Sequence, residues 1–192
     1  LSIVLSIPMG ILIVYSPLFE RTVYPLLVAS QAIPKVALAP ILVVWFGFGL
    51  MPKVLIAFFI AFFPIVVNTV VGLSRTPPEM IYLMRSLGAS PVQILLRVRM
   101  MAAMPYIFAG IKIAAAFAVV GAIVGEYIAA SSGLGYMQLV ANNNFEIPLL
   151  FGTLVVLSVM GIAFFYLVAL VEVLILPRPL RDTRVNDGGG GL

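Results

Sequence analysis

The 192-residue chain contains no cysteine and no histidine, which removes disulfides, thiolate nucleophiles, imidazole bases and the commonest zinc and haem ligands together. Charge is scarce too. Eleven basic and seven acidic side chains make up 9% of the sequence, whereas soluble domains run near 25%. So few charges cannot cover the surface of a water-soluble core. The only aspartates, Asp182 and Asp187, lie near the C-terminus, so an intramembrane aspartyl protease is excluded, and the missing histidine counts against a serine one. No G-x-x-x-x-G-K-[ST] stretch occurs, so the chain carries no P-loop with which to hydrolyse ATP itself and is not expected to be an enzyme. No basic run with interleaved aromatics appears, which leaves no case for nucleic acid. Neither a metal nor a cofactor is expected.

What is present is apolar. Hydrophobic residues make up 63% of the chain and the mean hydropathy is +1.21, so lipid is the expected solvent. Uncharged runs cover Leu1 to Phe19, Val36 to Pro52, Val54 to Ser74 and Ile147 to Val171, and Met100 to Gly125 is interrupted only by Lys112. A helix needs about 20 apolar residues to cross a bilayer. The expected fold is therefore an all-α, multi-pass transmembrane bundle with five spans, of which Val36 to Pro52 is marginal. A transmembrane barrel would alternate apolar and polar residues, and these runs do not. Arg75, Arg85, Arg97 and Arg99 in one connection and Arg178, Arg181 and Arg184 in the tail mark the cytoplasmic side. Alternation then places Arg21 inside and Lys53 outside. The chain begins at Leu1 within an apolar stretch, so a preceding segment is expected. The domain is expected to span 1–177, with a cytoplasmic loop at 74–102 and a disordered tail at 178–192.

That loop carries its own helix punctuation. Thr76, Pro77, Pro78 and Glu79 read as an N-cap, prolines in the first turn and a capping-box acid. Met80, Leu83, Met84 and Leu87 then recur as one apolar face of a helix of about three turns, which Gly88 can end in the left-handed conformation. Ser90, Pro91 and Gln93 repeat the cap signal at once. Two short helices joined by a sharp bend are predicted, either as an ordinary surface loop or as a shaped docking element.

Here a resemblance becomes specific. Arg85-Ser86-Leu87-Gly88-Ala89-Ser90, Gln93, Val98 and Ala102-Ala103-Met104-Pro105-Tyr106 resemble the "EAA" loop of binding-protein-dependent ABC transporter permeases. Tyr82, Leu83 and Met84 stand where that family usually has Glu-Ala-Ala, and Met101 where it usually has Pro. Ile33-Pro34-Lys35-Val36-Ala37-Leu38-Ala39-Pro40, Trp45-Phe46-Gly47-Phe48-Gly49, Phe62-Phe63-Pro64-Ile65 with Asn68-Thr69, and Glu126-Tyr127-Ile128 before Ser131-Ser132-Gly133-Leu134-Gly135-Tyr136 extend the likeness. The branch is the one that imports sulfonates, taurine, nitrate, riboflavin or thiamine precursors. The resemblance implies a type I importer permease in the bacterial inner membrane, usually with one more N-terminal span. Its implied partners are an ABC ATPase, a solute-binding protein and a second permease subunit. It also implies ATPase coupling through Glu79, Leu83, Met84, Arg85, Leu87, Gly88, Ala89, Ser90 and Gln93.

Gly110, Ala114, Ala118, Gly121 and Gly125 share one helical face, suited to close approach of another helix. The resemblance implies that this helix lines the translocation path. A single bundle encloses little space, so the same face is expected to meet a second copy. Asn68 reads as interhelical glue or path lining, Lys112 as a side chain snorkelling inward or lining the path, and Glu126 as interfacial. The segment from Ser131 to Ile147 either meets the binding protein or simply connects. A passive channel or a scaffold subunit of another complex remains the alternative function.

Overall fold

The computed structural model describes residues 1–176. Pro177, Pro179, Arg178, Arg181, Arg184 and the glycine-rich end lie outside the described residues. Every regular element within them is helical: α1 (Ser2–Tyr15), α2 (Pro17–Ser30), a 3-10 turn (Lys35–Leu38) leading into α3 (Ala39–Phe46), α4 (Leu50–Ser74), α5 (Pro78–Ser86), α6 (Pro91–Ile94), α7 (Met100–Ala129), α8 (Leu134–Asn143) and α9 (Ile147–Ile175). A π-helical turn at Leu95–Arg99 joins α6 to α7 without a break in direction.

Among the described residues three helices are long and apolar enough to cross a membrane unaided: Leu50–Ser74, Pro91–Ile128 and Ile147–Ile175. The other two expected spans take a different form. The first apolar run divides at Ser16, where the backbone becomes extended and Pro17 starts α2, so α1 has only 14 residues. The Val36 to Pro52 run does not form one continuous, span-length helix. It holds the eight residues of α3, which end at Gly47 with φ 74°, and α2 meets the Lys35–Phe46 segment at 86°. Counted as one broken span, this pair brings the long crossings to four.

Packing fixes the directions. Ser6 Oγ donates to the Phe62 carbonyl, Gly10 lies against Thr69, and Ile13 packs with Val66 and Val70, so α1 and α4 run parallel. The chain must therefore return between them. Lys35 lies over Phe63, while Ala39 and Leu42 pack with Ile56, so α3 runs antiparallel to α4 and completes that return.

Small residues let α7 lie directly on α4. A Cβ on Gly110 would sit 2.9 Å from the Pro64 carbonyl oxygen, one on Gly121 2.6 Å from the Ala57 Cα, and one on Gly125 2.9 Å from the Lys53 Cα. Ala114 is buried with Ala61 and Ile65, and Gly72 of α4 answers with the same closeness to Ala103. Where lipid solvates apolar side chains as well as protein does, such backbone approach is what holds helices together. The expectation that this face meets a second copy is corrected: α4 of the same chain occupies it. By contrast, α9 buries only Thr153, Leu157 and Glu172.

Candidate coupling corner and transport path

α5 begins one residue later than the cap signal places it. Thr76 does not cap it. Its buried hydroxyl donates to the Leu73 carbonyl at 3.1 Å, closing the end of α4, so the expected Thr76–Glu79 capping box is absent and Pro77 leads into the helix. The far end of α5 forms as expected. Gly88 has φ +77°, Ala89 N–H donates to the Met84 carbonyl and Gly88 N–H to the Arg85 carbonyl, both at 3.0 Å. These two bonds make a Schellman motif, which satisfies carbonyls that the helix end leaves open.

Beyond the corner the capping box is complete. Ser90 N–H donates to Gln93 Oε1 at 2.8 Å, and Gln93 N–H donates to Ser90 Oγ at 3.3 Å. The second helix is not short, however. α6 passes through the π-helical turn into α7, so the corner is rigidly attached to a transmembrane helix. A π-turn adds a residue to one turn and rotates the side chains that follow. No periodicity in the sequence announces it.

The faces of α5 are divided. Met80, Leu83 and Leu87 are strongly exposed, with Leu87 at 73%, and so is Tyr82. Ile81 and Met84 are half-buried. Ile81, Arg85 and Ala89 line a 280 Å³ pocket shared with Tyr15, Pro91, Ile94 and Arg99, and the Arg99 guanidinium lies 5.1 Å from the Tyr15 ring centre. Met84 is thus partly covered, and Arg85 lines the pocket while staying exposed, as Glu79, Gly88, Ser90 and Gln93 are.

Asn68 is half-buried at the α4–α7 contact, where its Cβ would meet a Cβ on Gly110 at 2.9 Å. Its amide donates within α4 to the Pro64 carbonyl at 2.8 Å, so it does not act as hydrogen-bonding glue between helices. Ala118 is half-buried and lines a small groove with Ala114 and Ile65.

A family described as binding-protein-dependent transport system inner membrane component matches residues 2–181. The chain belongs to this family of ABC transporter permeases. It is 41% identical over 177 residues to the formylaminopyrimidine transport permease protein ThiX of Halalkalibacterium halodurans, covering 92% of this chain and 71% of that protein. It is also 41% identical over 153 residues to the riboflavin transport system permease protein RibX of Chloroflexus aurantiacus, covering 80% of this chain and 57% of that one. A probable ABC transporter permease of Haemophilus influenzae is 36% identical, with 82% and 64% covered. The chain thus spans between about half and three-quarters of the length of these relatives.

Three features of the permease escaped the sequence reading. The Lys112 ammonium donates to Glu172 on α9 at 2.5 Å, and the two side chains are 14% and 10% exposed. Each stands alone in a long apolar run, and ions so placed need partners; that was the available signal. Glu126 is tied in: its Oε2 accepts from Gly135 N–H at 2.6 Å in the first turn of α8, where a carboxylate favours the positive end of the helix. Finally, most of the Ser131 to Ile147 connection is α8, packed on α7 and α9.

Proposed function

We propose that this permease forms the translocation path of an ABC importer for a small solute in a bacterial inner membrane, and that the corner around Gly88 couples it to a separate ATPase. The observation that carries this reading is α5: an apolar row of Met80, Leu83 and Leu87 turned outward from a corner fixed on both sides by helix caps. Such a row suits a groove in a partner protein. A passive channel has no use for it. Arg75, Arg85, Arg97 and Arg99 lie at this end of the bundle, which supports a cytoplasmic position for the corner under the positive-inside rule.

A second permease subunit, here a second copy of the chain, completes the path. The backbone between α2 and α3 is irregular and exposed at Gln31 to Pro34, and exposed irregular backbone is tolerated at membrane depth only against protein or water. A solute-binding protein delivers the solute at the opposite end, near α8, and lipid covers the outward side of α9. The transport of a pyrimidine by one relative and of riboflavin by another, as their names state, supports small organic solutes as the class. Leu83→Glu tests the reading: reconstituted with its ATPase, the variant should insert normally yet lose ATPase association and solute uptake together. Unchanged association and uptake would return the passive channel as the better account.

A further inference from the structure

Lys35 is a cation that neither the charge topology nor the coupling corner uses. It opens the 3-10 turn before α3, and its ammonium lies 4.4 Å from the centre of the Phe63 ring. Phe63 stands near the middle of α4 (Leu50–Ser74), about 16 Å from its cytoplasmic end at 1.5 Å per residue. Among the described residues no acidic side chain pairs with Lys35. A charge at this depth costs several kcal/mol against hydrocarbon, so such residues face water, protein or a solute.

The backbone beside it leads to the same place. α2 and the Lys35–Phe46 segment meet at 86°, and Gln31, Ala32, Ile33 and Pro34 at the bend are all exposed. Broken helices at mid-membrane depth recur where transport proteins hold their cargo, because the break brings polar backbone to a site that lipid does not reach. A cation, an aromatic ring and irregular backbone thus converge on one exposed break, although the N–H groups of Gln31, Ala32 and Ile33 are already bonded to the last turn of α2.

We propose that Lys35 and Phe63 form a solute subsite on the translocation path, one that accepts a negatively charged or carbonyl-rich group and rejects cations. The proposal rests on the path reading above. When no solute is present, the electron-rich ring face holds the ammonium. An incoming carboxylate, sulfonate or heterocyclic carbonyl offers a stronger acceptor and takes its place.

The chain has no cysteine of its own, so Ala32→Cys introduces a single thiol into the permease. In membrane vesicles carrying the complete transporter, its rates with an anionic sulfonatoethyl and a cationic trimethylammonioethyl methanethiosulfonate are compared, each normalised to a free thiol. Both reagents should react; relative to the Lys35→Met background the anionic rate should be higher and the cationic rate lower by about fivefold each, as for one unit charge near 4 Å in water, so the anion-over-cation preference should differ by about 25-fold. Lys35→Arg should keep the preference, and an unchanged rate at Ser132→Cys would show that the fold is intact. An unreactive Ala32→Cys, or a preference that Lys35→Met leaves unmoved, overturns the subsite. These rates need neither ATP nor an ATPase, so failure here is distinguishable from failure of the coupling reading.

Discussion

The Lys112 ammonium on α7 donates to the Glu172 carboxylate on α9 at 2.5 Å, with both side chains largely buried. Because α9 buries only two other side chains, Thr153 and Leu157, this pair is a principal point at which α9 is held. Removing the Glu172 carboxylate strands the Lys112 ammonium, whereas removing both charges takes away the unpaired cation as well. Glu172→Met alone should therefore lower stability by about 3 kcal/mol, and Lys112→Met with Glu172→Met should recover most of the loss. Unfolding of the four proteins of this double-mutant cycle in one detergent measures it, and strict additivity would show that the pair does not couple the helices.

Gly121 and Gly152 make opposite demands. A Cβ on Gly121 would sit 2.6 Å from the Ala57 Cα, while nothing lies within 4 Å of one on Gly152. Gly121→Val should push α4 and α7 apart and cost about 1–3 kcal/mol. Gly152→Ala meets open space and gains helix propensity, so it should be neutral or stabilising by up to about 1 kcal/mol. Melting temperatures of the two variants against the parent chain check the contrast, which would vanish if the small-residue face were not the α4–α7 contact.

How far the sequence was legible follows from which signals were local. The Gly88 conformation and the Ser90–Gln93 capping box are decided within a few residues, and the spacing showed both. So was the small-residue face of α7, although its partner was not: periodicity shows that a helix approaches closely, never which one. Thr76 failed as a cap because its hydroxyl had two local uses, and burial against α4 selected the Leu73 carbonyl. The Lys112–Glu172 pair joins residues 60 apart, and no windowed reading connects them. The break between α2 and α3 lay hidden because a run of apolar residues states solubility in lipid, not straightness.

The directions of the helices give a topology that can be read chemically. Ser86 lies at the Gly88 corner and Ser132 just beyond the other end of α7. Single cysteines at these positions should label with a membrane-impermeant maleimide from opposite sides, Ser86→Cys only in inverted vesicles and Ser132→Cys only in intact cells. Labelling of both from one side would contradict the crossing of α7.

At Gly88 the backbone requirement can be separated from the available space. Its φ of +77° is one that side-chain-bearing residues rarely adopt, yet nothing lies within 4 Å of a Cβ placed there. A substitution therefore acts through conformation and not through crowding within the chain. Valine in the left-handed region costs about 1–2 kcal/mol, while asparagine, of similar bulk, enters that region several times more readily. If the corner transmits ATPase closure, Gly88→Val should reduce ATPase association and solute uptake together, and Gly88→Asn should keep most of both. Binding of the purified ATPase to each reconstituted variant measures the first, and uptake into proteoliposomes the second. Equal loss in both variants would mean that the glycine is needed for contact with the partner and not for its turn. Full activity in Gly88→Val would remove the corner from the coupling path.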